Sequence, residues 1–130
     1  MSTISGGKAI VESLKAEGVT HVFGLIGSAG MEMFDALFDA PEIRFIGVRD
    51  ERTGVHMADG YARASGKAGV FLAGQNGPGA TNLVTGLAQA QAAYSPVVAL
   101  AARFRPRTFT ATLSRRWTSS RSSSPSRRRH

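Results

Sequence analysis

Cysteine is absent from this 130-residue chain, which removes a disulfide framework and a thiolate metal site from consideration. No apolar run is long enough to span a bilayer, and no charged-then-apolar leader opens the sequence, so the expectation is a soluble, cytoplasmic protein without a membrane partner. A dinucleotide fingerprint is missing as well. Gly24-Leu-Ile-Gly27-Ser-Ala-Gly30 spaces its glycines three apart, unlike Gly-x-Gly-x-x-Gly, and lends no support to a nicotinamide cofactor. Acidic residues and lysine are both lacking after Ala101, and that absence divides the chain. Residues 1–101 hold seven Lys and Arg against nine Asp and Glu, whereas residues 102–130 hold nine Arg and no acid; together they make the +7 of the whole. The basic character is that of an Arg/Ser-rich tail, not of the mildly acidic body, so the high isoelectric point is no argument for a nucleic-acid partner.

What the body does contain is a regular alternation of apolar patterns over a length suited to one modest domain. Ile10, Val11 and Leu14 recur at helical spacing in a segment that Glu17-Gly18 should stop. Val19–Ile26 reads as a strand closed by Gly27–Gly30, and Met31, Phe34, Leu37 and Phe38 mark a second amphipathic helix ending near Pro41. A strand over 43–48, a helix from Glu51 to about Ser65, a strand over 68–73, a helix from Gly77-Pro78-Gly79 to about Ala93, and a strand over 95–101 complete the pattern. Near-continuous apolar strands alternating with helices predict an α/β fold, a three-layer Rossmann-like parallel sheet with helices on both faces. The domain is assigned to residues 1–101 and the low-complexity, disordered basic tail to 102–130.

Three of these strands run into one edge made of Gly27–Gly30, Asp50-Glu51 and Gln75-Asn-Gly-Pro-Gly79. In an open α/β sheet the carboxyl edge is where ligands bind. Glycines admit a ligand to the backbone, and Pro78 at a helix start leaves free N–H groups facing an acceptor. Each feature has a plainer explanation: Gly-Pro-Gly is also an ordinary strand-to-helix turn, and Glu51 could merely favour the positive end of its helix. Asp59 and Arg63, four apart, fit an ordinary helix ion pair. His56 lies more than a turn beyond Glu51 and reads as packed or exposed, His21 has no evident partner, and Met31, Met33 and Met57 read as core or interface filling.

Val22-Phe-Gly24 with Gly27, Asp35-Ala-Leu37, Glu51, His56-Met-Ala-Asp-Gly-Tyr-Ala-Arg63-Ala-Ser-Gly-Lys67 and Asn76-Gly-Pro-Gly-Ala-Thr-Asn82 occur here in one register. Over residues 3–101 this set resembles the N-terminal pyrimidine-binding domain of thiamine-diphosphate enzymes, in the acetolactate synthase and sulfoacetaldehyde acetyltransferase group. Gln75-Asn76-Gly-Pro-Gly is closer to the second branch than the Ser-Gly-Pro-Gly usual in the first. The resemblance implies thiamine diphosphate as cofactor, with Glu51 as the catalytic residue that hydrogen-bonds a ring nitrogen of its aminopyrimidine. Gly27, Glu51, Gly77, Pro78 and Asn82 are then cofactor-binding. A semi-apolar pocket, to which Val48 and Val55 could contribute, suits an acid that must share a proton. The substrate implied is a 2-keto acid that loses carbon dioxide in a carbon–carbon bond-forming or acetyl-transfer reaction. Magnesium and the diphosphate are held in that family by a domain bearing Gly-Asp-Gly, which is absent here, so no metal ligand is assigned. The chain is expected to supply half a site, to be inactive alone, and to work in a homo-oligomer or with a complementary diphosphate-domain chain.

The tail admits a further reading. With permitted synonymous codons, a one-base shift turns Ala111–Arg127 into DAFQEVDQLALFFPVT, which resembles the family's continuation; Trp117 followed by Thr118 forces one Asp of that string. Residues from about 102 are therefore read as a frameshift of a longer gene, and the pyrimidine domain as incomplete. A natural small subunit pairing with a separate chain, and a non-enzymatic binding module whose basic tail takes nucleic acid, are the alternatives.

Overall fold

The computed structural model describes residues 4–102. Local signals in the sequence set each helix boundary. Helix α1, Gly6–Ala16, starts where the Ser5 side chain accepts from the Lys8 amide at 3.2 Å. It stops at Gly18, whose φ of 70° lets the Gly18 and Val19 amides turn back onto the Lys15 and Leu14 carbonyls at 2.9 Å each. A short 3-10 turn, Ser28–Gly30, leads into α2, Met31–Phe38. Helix α3, Glu51–Ser65, ends at Gly66 in the left-handed conformation, and α4, Pro78–Ala92, begins on proline.

Between them lie β1 His21–Gly24, β2 Arg44–Gly47, β3 Gly69–Ala73 and β4 Val97–Ala101, forming one parallel sheet in the order β2-β1-β3-β4. The expected α/β architecture is thus present, with α1 and α2 on one face and α3 and α4 on the other. Val11, Met33 and Leu37 pack with Val22, Val70 and Leu72 on the first face; Val55, Ala58 and Leu83 pack with Phe23, Phe71 and Ala73 on the second. Successive strand residues therefore serve opposite cores, and all of β3 is buried.

Coverage is uneven. On the α1/α2 face β4 keeps Val98 44% exposed, beside an open groove of about 850 Å³ lined by Ile10, Leu14, Val19, Val70, Val98 and Leu100. The strands are also shorter than apolarity suggests. Val19 is taken up by the α1 cap, and Ile26, beyond the last β1 pairing, is 69% exposed. In α2 the buried stripe is Met33 and Leu37, continued by Ala40, whereas Met31 and Phe38 are 66% and 89% exposed. Of the methionines read as filling, Met33 fits the core, and Met31 and Met57 lie outward. The disorder expected of the Arg/Ser-rich tail concerns residues 103–130, outside the described residues.

Glycine separates tight from open positions along α3 and β3. A Cβ on Gly69 would strike the backbone carbonyl of Ala58, which cannot yield, whereas one on Gly60 meets nothing within 4 Å. Gly69→Ala should cost about 1–3 kcal/mol or more, and Gly60→Ala should gain about 0.5–1 kcal/mol from the more favourable helix residue. Urea unfolding of the two variants and the parent checks both signs.

Candidate functional site

The sequence places two acids in succession where β2 gives way to α3, and the fold assigns them different work. Asp50 is extended, at φ −154° and ψ 134°, and caps the helix by accepting from the Arg52 and Thr53 amides at 2.9 and 3.3 Å. The Arg52 guanidinium forks onto the same carboxylate, Nε at 3.1 Å and Nη2 at 2.9 Å, and this holds the Asp50 carboxyl down to about 2. Asp50 thereby satisfies the helix start. Glu51 is free of that duty and turns inward, only 7% exposed.

Its surroundings come from α4. Asn82 Nδ2 donates to Glu51 Oε2 at 3.2 Å. The other oxygen, Oε1, lies 2.9 Å from the point where a Cβ on Gly79 would sit, so the carboxylate packs into the space that this glycine leaves. Among the described residues Glu51 makes no ion pair and Oε1 accepts no side-chain hydrogen bond. Val48 and Val55 both belong to the apolar cluster beneath α3. The two helices approach closely enough for this because Gly86 faces Val55; a Cβ there would lie 2.6 Å from Cγ1.

Gly77 and Pro78 form the start of the helix that carries Asn82. Gly77 has φ 71° and ψ −103°, a region that favours glycine, and no side chain caps the α4 amides. Gly27 sits one loop away, after β1, where a Cβ would strike the Gly74 carbonyl. The structure therefore brings Glu51 and Asn82 into contact, sets Gly77 and Pro78 at the head of α4, and gives Gly27 a close backbone approach to the β3 loop. Gly79 is a site residue that motif reading left unassigned; its position three before Asn82, on the same helix face, was the available signal. Ser28 and Gln75 were also unassigned, and their side chains meet across the two loops with Ser28 Oγ 3.2 Å from Gln75 Oε1.

The remaining polar residues of α3 are structural. Arg63 Nε and Nη2 grip the Asp59 oxygens at 3.0 and 2.6 Å, as the four-residue spacing predicts. Arg63 first, and then the Ser95 hydroxyl, hold the Asp59 carboxyl below the usual range. That hydroxyl is buried and outside hydrogen-bond geometry, yet still close enough to act on the charge. His56 is exposed. His21 does have partners: Thr20 Oγ1 lies 2.9 Å from Nδ1, and the Tyr61 ring centroid 5.3 Å away. Among the described residues no group of three or more His, Asp or Glu could hold a metal ion, and no helix is long and apolar enough to cross a membrane.

A parallel sheet with helices on both faces, glycine-rich loops and, among the described residues, one buried acid without an ion pair at its carboxyl edge defines a domain of the α/β class. Residues 4–115 match the family described as thiamine pyrophosphate enzyme, N-terminal TPP binding domain, and the chain belongs to that family. Thiamine pyrophosphate and thiamine diphosphate are the same compound. The chain is 50% identical over 97 residues to the probable acetolactate synthase large subunit of Methanocaldococcus jannaschii, covering 75% of this chain and 16% of that protein. It is 53% identical over 91 residues to the sulfoacetaldehyde acetyltransferase of Alcaligenes xylosoxydans xylosoxydans, covering 70% and 15%. With the acetolactate synthase of Mycobacterium avium it shares 46% over 97 residues, covering 75% and 16%. The chain thus spans about one-sixth of the length of the curated relatives it matches.

Two outcomes test these assignments. The lowered Asp50 carboxyl adds stability above the ordinary aspartate pKa near 3.9 and loses it as pH falls toward about 2. Asp50→Asn should therefore flatten the fall in melting temperature through that acid window. Asn82→Ala should cost about 1–3 kcal/mol by leaving the buried Glu51 oxygen without a donor. In a double-mutant cycle with Glu51→Leu, most of that cost should disappear.

Proposed function

We propose that this chain supplies the pyrimidine side of a thiamine-diphosphate site in an acetolactate synthase-like enzyme acting on 2-keto acids, with Glu51 as its catalytic residue. The observation that carries this reading is the buried Glu51 carboxylate, held by one neutral donor and packed against Gly79 at the carboxyl edge of the sheet. A carboxylate paired like Asp59 with Arg63 would be closed to a ligand. Glu51 makes no ion pair among the described residues, which in this reading leaves its second oxygen for a nitrogen heterocycle.

In this reading the Glu51 carboxyl would share a proton with a ring nitrogen of the bound heterocycle, donating it to the nitrogen lone pair and accepting a hydrogen bond back once the ring holds it. Asn82 holds Oε2, and Gly79 gives Oε1 its room beside α4. The apolar cluster beneath α3 excludes water, which strengthens a shared-proton bond. Gly77 and Pro78 present the uncapped α4 amides at the same edge, and Gly27 sets the height of the neighbouring loop through Gly74. The cofactor, when bound, supplies the carbon nucleophile and electron sink that decarboxylation of a 2-keto acid requires.

Magnesium and the diphosphate are assigned to a second domain or a complementary chain, in a homo-oligomer or a mixed complex, in the cytoplasm. The matched segment is about one-sixth of each relative, so the larger part of those proteins lies outside it and could carry the rest of such a site. The chain on its own is then a binding fragment without turnover. The Arg/Ser-rich stretch from 102 is read as a frameshift product with no nucleic-acid role; sequencing the gene from the Ser95 codon onward tests that separately.

Titration of the ¹⁵N-labelled chain with thiamine diphosphate and magnesium tests the site. Saturable shifts should concentrate on Glu51, Gly79 and Asn82, and Glu51→Ala should weaken binding about tenfold or more, as loss of a charge-assisted hydrogen bond implies. Shifts centred elsewhere, or an affinity untouched by Glu51→Ala, would defeat the proposal.

A further inference from the structure

Arg52 follows Glu51 directly, and its guanidinium is the cation nearest in sequence to that buried acid. It is held elsewhere. Nε and Nη2 fork onto the two Asp50 oxygens at 3.1 and 2.9 Å, while the Arg52 amide donates to Oδ1 of the same carboxylate at 2.9 Å. Asp50 thus binds both the backbone and the side chain of the residue two ahead. Glu51 is nevertheless within electrostatic range of this cation: Asp50 first, and the Glu51 charge after it, hold the Arg52 guanidinium above its ordinary value. Among the described residues Arg52 has no other side-chain partner. Released from Asp50, it has Glu51 as the remaining carboxylate whose charge reaches it.

The elements around Glu51 bring no competing charge. Helix α4, against which it packs, has no charged or titratable side chain from Pro78 to Ala92, and the loops over residues 25–30 and 74–77 have none either. On its own side of the sheet the groups are Arg49 and Asp50 before it, and Arg52 and His56 after it. Arg49 and His56 are exposed, and neither pairs with Glu51. A carboxyl that must exchange a proton is hampered by a guanidinium at its side, because an opposite charge within about 4–6 Å lowers its proton affinity tenfold to a thousandfold.

We infer that Asp50 is a positioning residue for the proposed reaction: by engaging Arg52 it keeps that guanidinium off Glu51 and leaves the Glu51 carboxyl able to take up and give back a proton. This rests on the reading of Glu51 as the pyrimidine-side acid, which supplies the use for that proton. Capping alone does not require an acid here, since asparagine and aspartate cap helices about equally well. What only the acid supplies is a charge-assisted fork for the guanidinium.

The test follows the side-chain carboxyl ¹³C resonance of Glu51 against pH in the ¹³C-labelled 130-residue chain. Asp50→Asn keeps a helix cap and frees Arg52; it should lower the proton affinity of Glu51 about tenfold or more, the effect of a guanidinium brought beside a carboxylate. Arg52→Gln leaves Asp50 charged and unpaired, and should raise that affinity about threefold through repulsion between neighbouring carboxylates. With both substitutions together the two charges are gone, and the affinity should return to within about twofold of the parent. Damage to the cap would not reverse sign between the two single variants, and backbone spectra superposable on the parent outside residues 49–53 establish that each is folded. A Glu51 titration unmoved by Asp50→Asn, or moved but not restored by adding Arg52→Gln, would overturn the inference. Thiamine diphosphate shifts at Glu51 without this pattern would leave the cofactor site standing and remove Asp50 from it. The pattern in a chain that takes up no thiamine diphosphate would uphold the separation of Arg52 from Glu51 and overturn the cofactor reading.

Discussion

The side-by-side packing of α3 against α4 is the constraint on which the site depends. It is set by absence of side chains: Gly86 admits Val55, and Gly79 admits the Glu51 carboxylate. A larger residue at either position would part the helices and separate Glu51 from Asn82. Dense interiors yield little to such intrusion, so the geometry around one acid is inherited from the packing of two fifteen-residue helices. Beneath them, Gly54 allows Phe71 of β3 to rise under α3, and the central strand, the helix pair and the acid form one packed unit.

A second dependence runs along the chain. Two consecutive acids can serve different ends only because the first is extended and the second helical. Asp50 meets the free amides of α3 and collects Arg52, so positive charge at the helix start is spent on it and not on Glu51. A buried carboxylate left with a single neutral donor is costly to stability. Its retention at the carboxyl edge of the sheet is the kind of local conflict expected where a protein binds something.

Much of the fold was legible. Gly18 and Gly66 stop helices where the sequence puts them, Pro78 starts one, and strands alternating with helices form the parallel sheet. Failures arose where apolarity was taken for burial. Ile26 and Phe38 carry the right chemistry for a core, but Ile26 falls past the end of β1 and Phe38 is the last residue of α2, off its buried Met33–Leu37 stripe. Of the site, Glu51 and Asn82 could be named from motifs, yet their contact spans thirty-one positions and depends on how α3 and α4 lie together. The Ser28–Gln75 bond, between residues forty-seven apart, is likewise a product of loop packing that neither local pattern contains. Glycine is ambiguous in one dimension: Gly60 and Gly79 look alike in sequence, and only the neighbours distinguish an open surface from a close contact with a buried carboxylate.

The strand order β2-β1-β3-β4 bears on how the chain is made. Strand β1 can pair with β2 as soon as residue 47 has emerged, but its other edge waits for Val70, Phe71 and Leu72. Until then, the apolar inner surfaces of α1 and α2 face a half-built sheet, because Val70 and Leu72 belong to their core. Synthesis at about 5–20 residues per second leaves that surface uncovered for seconds. The first half of the molecule thus carries uncovered apolar surface while the chain is being made, and the arrival of β3 is the event that closes it.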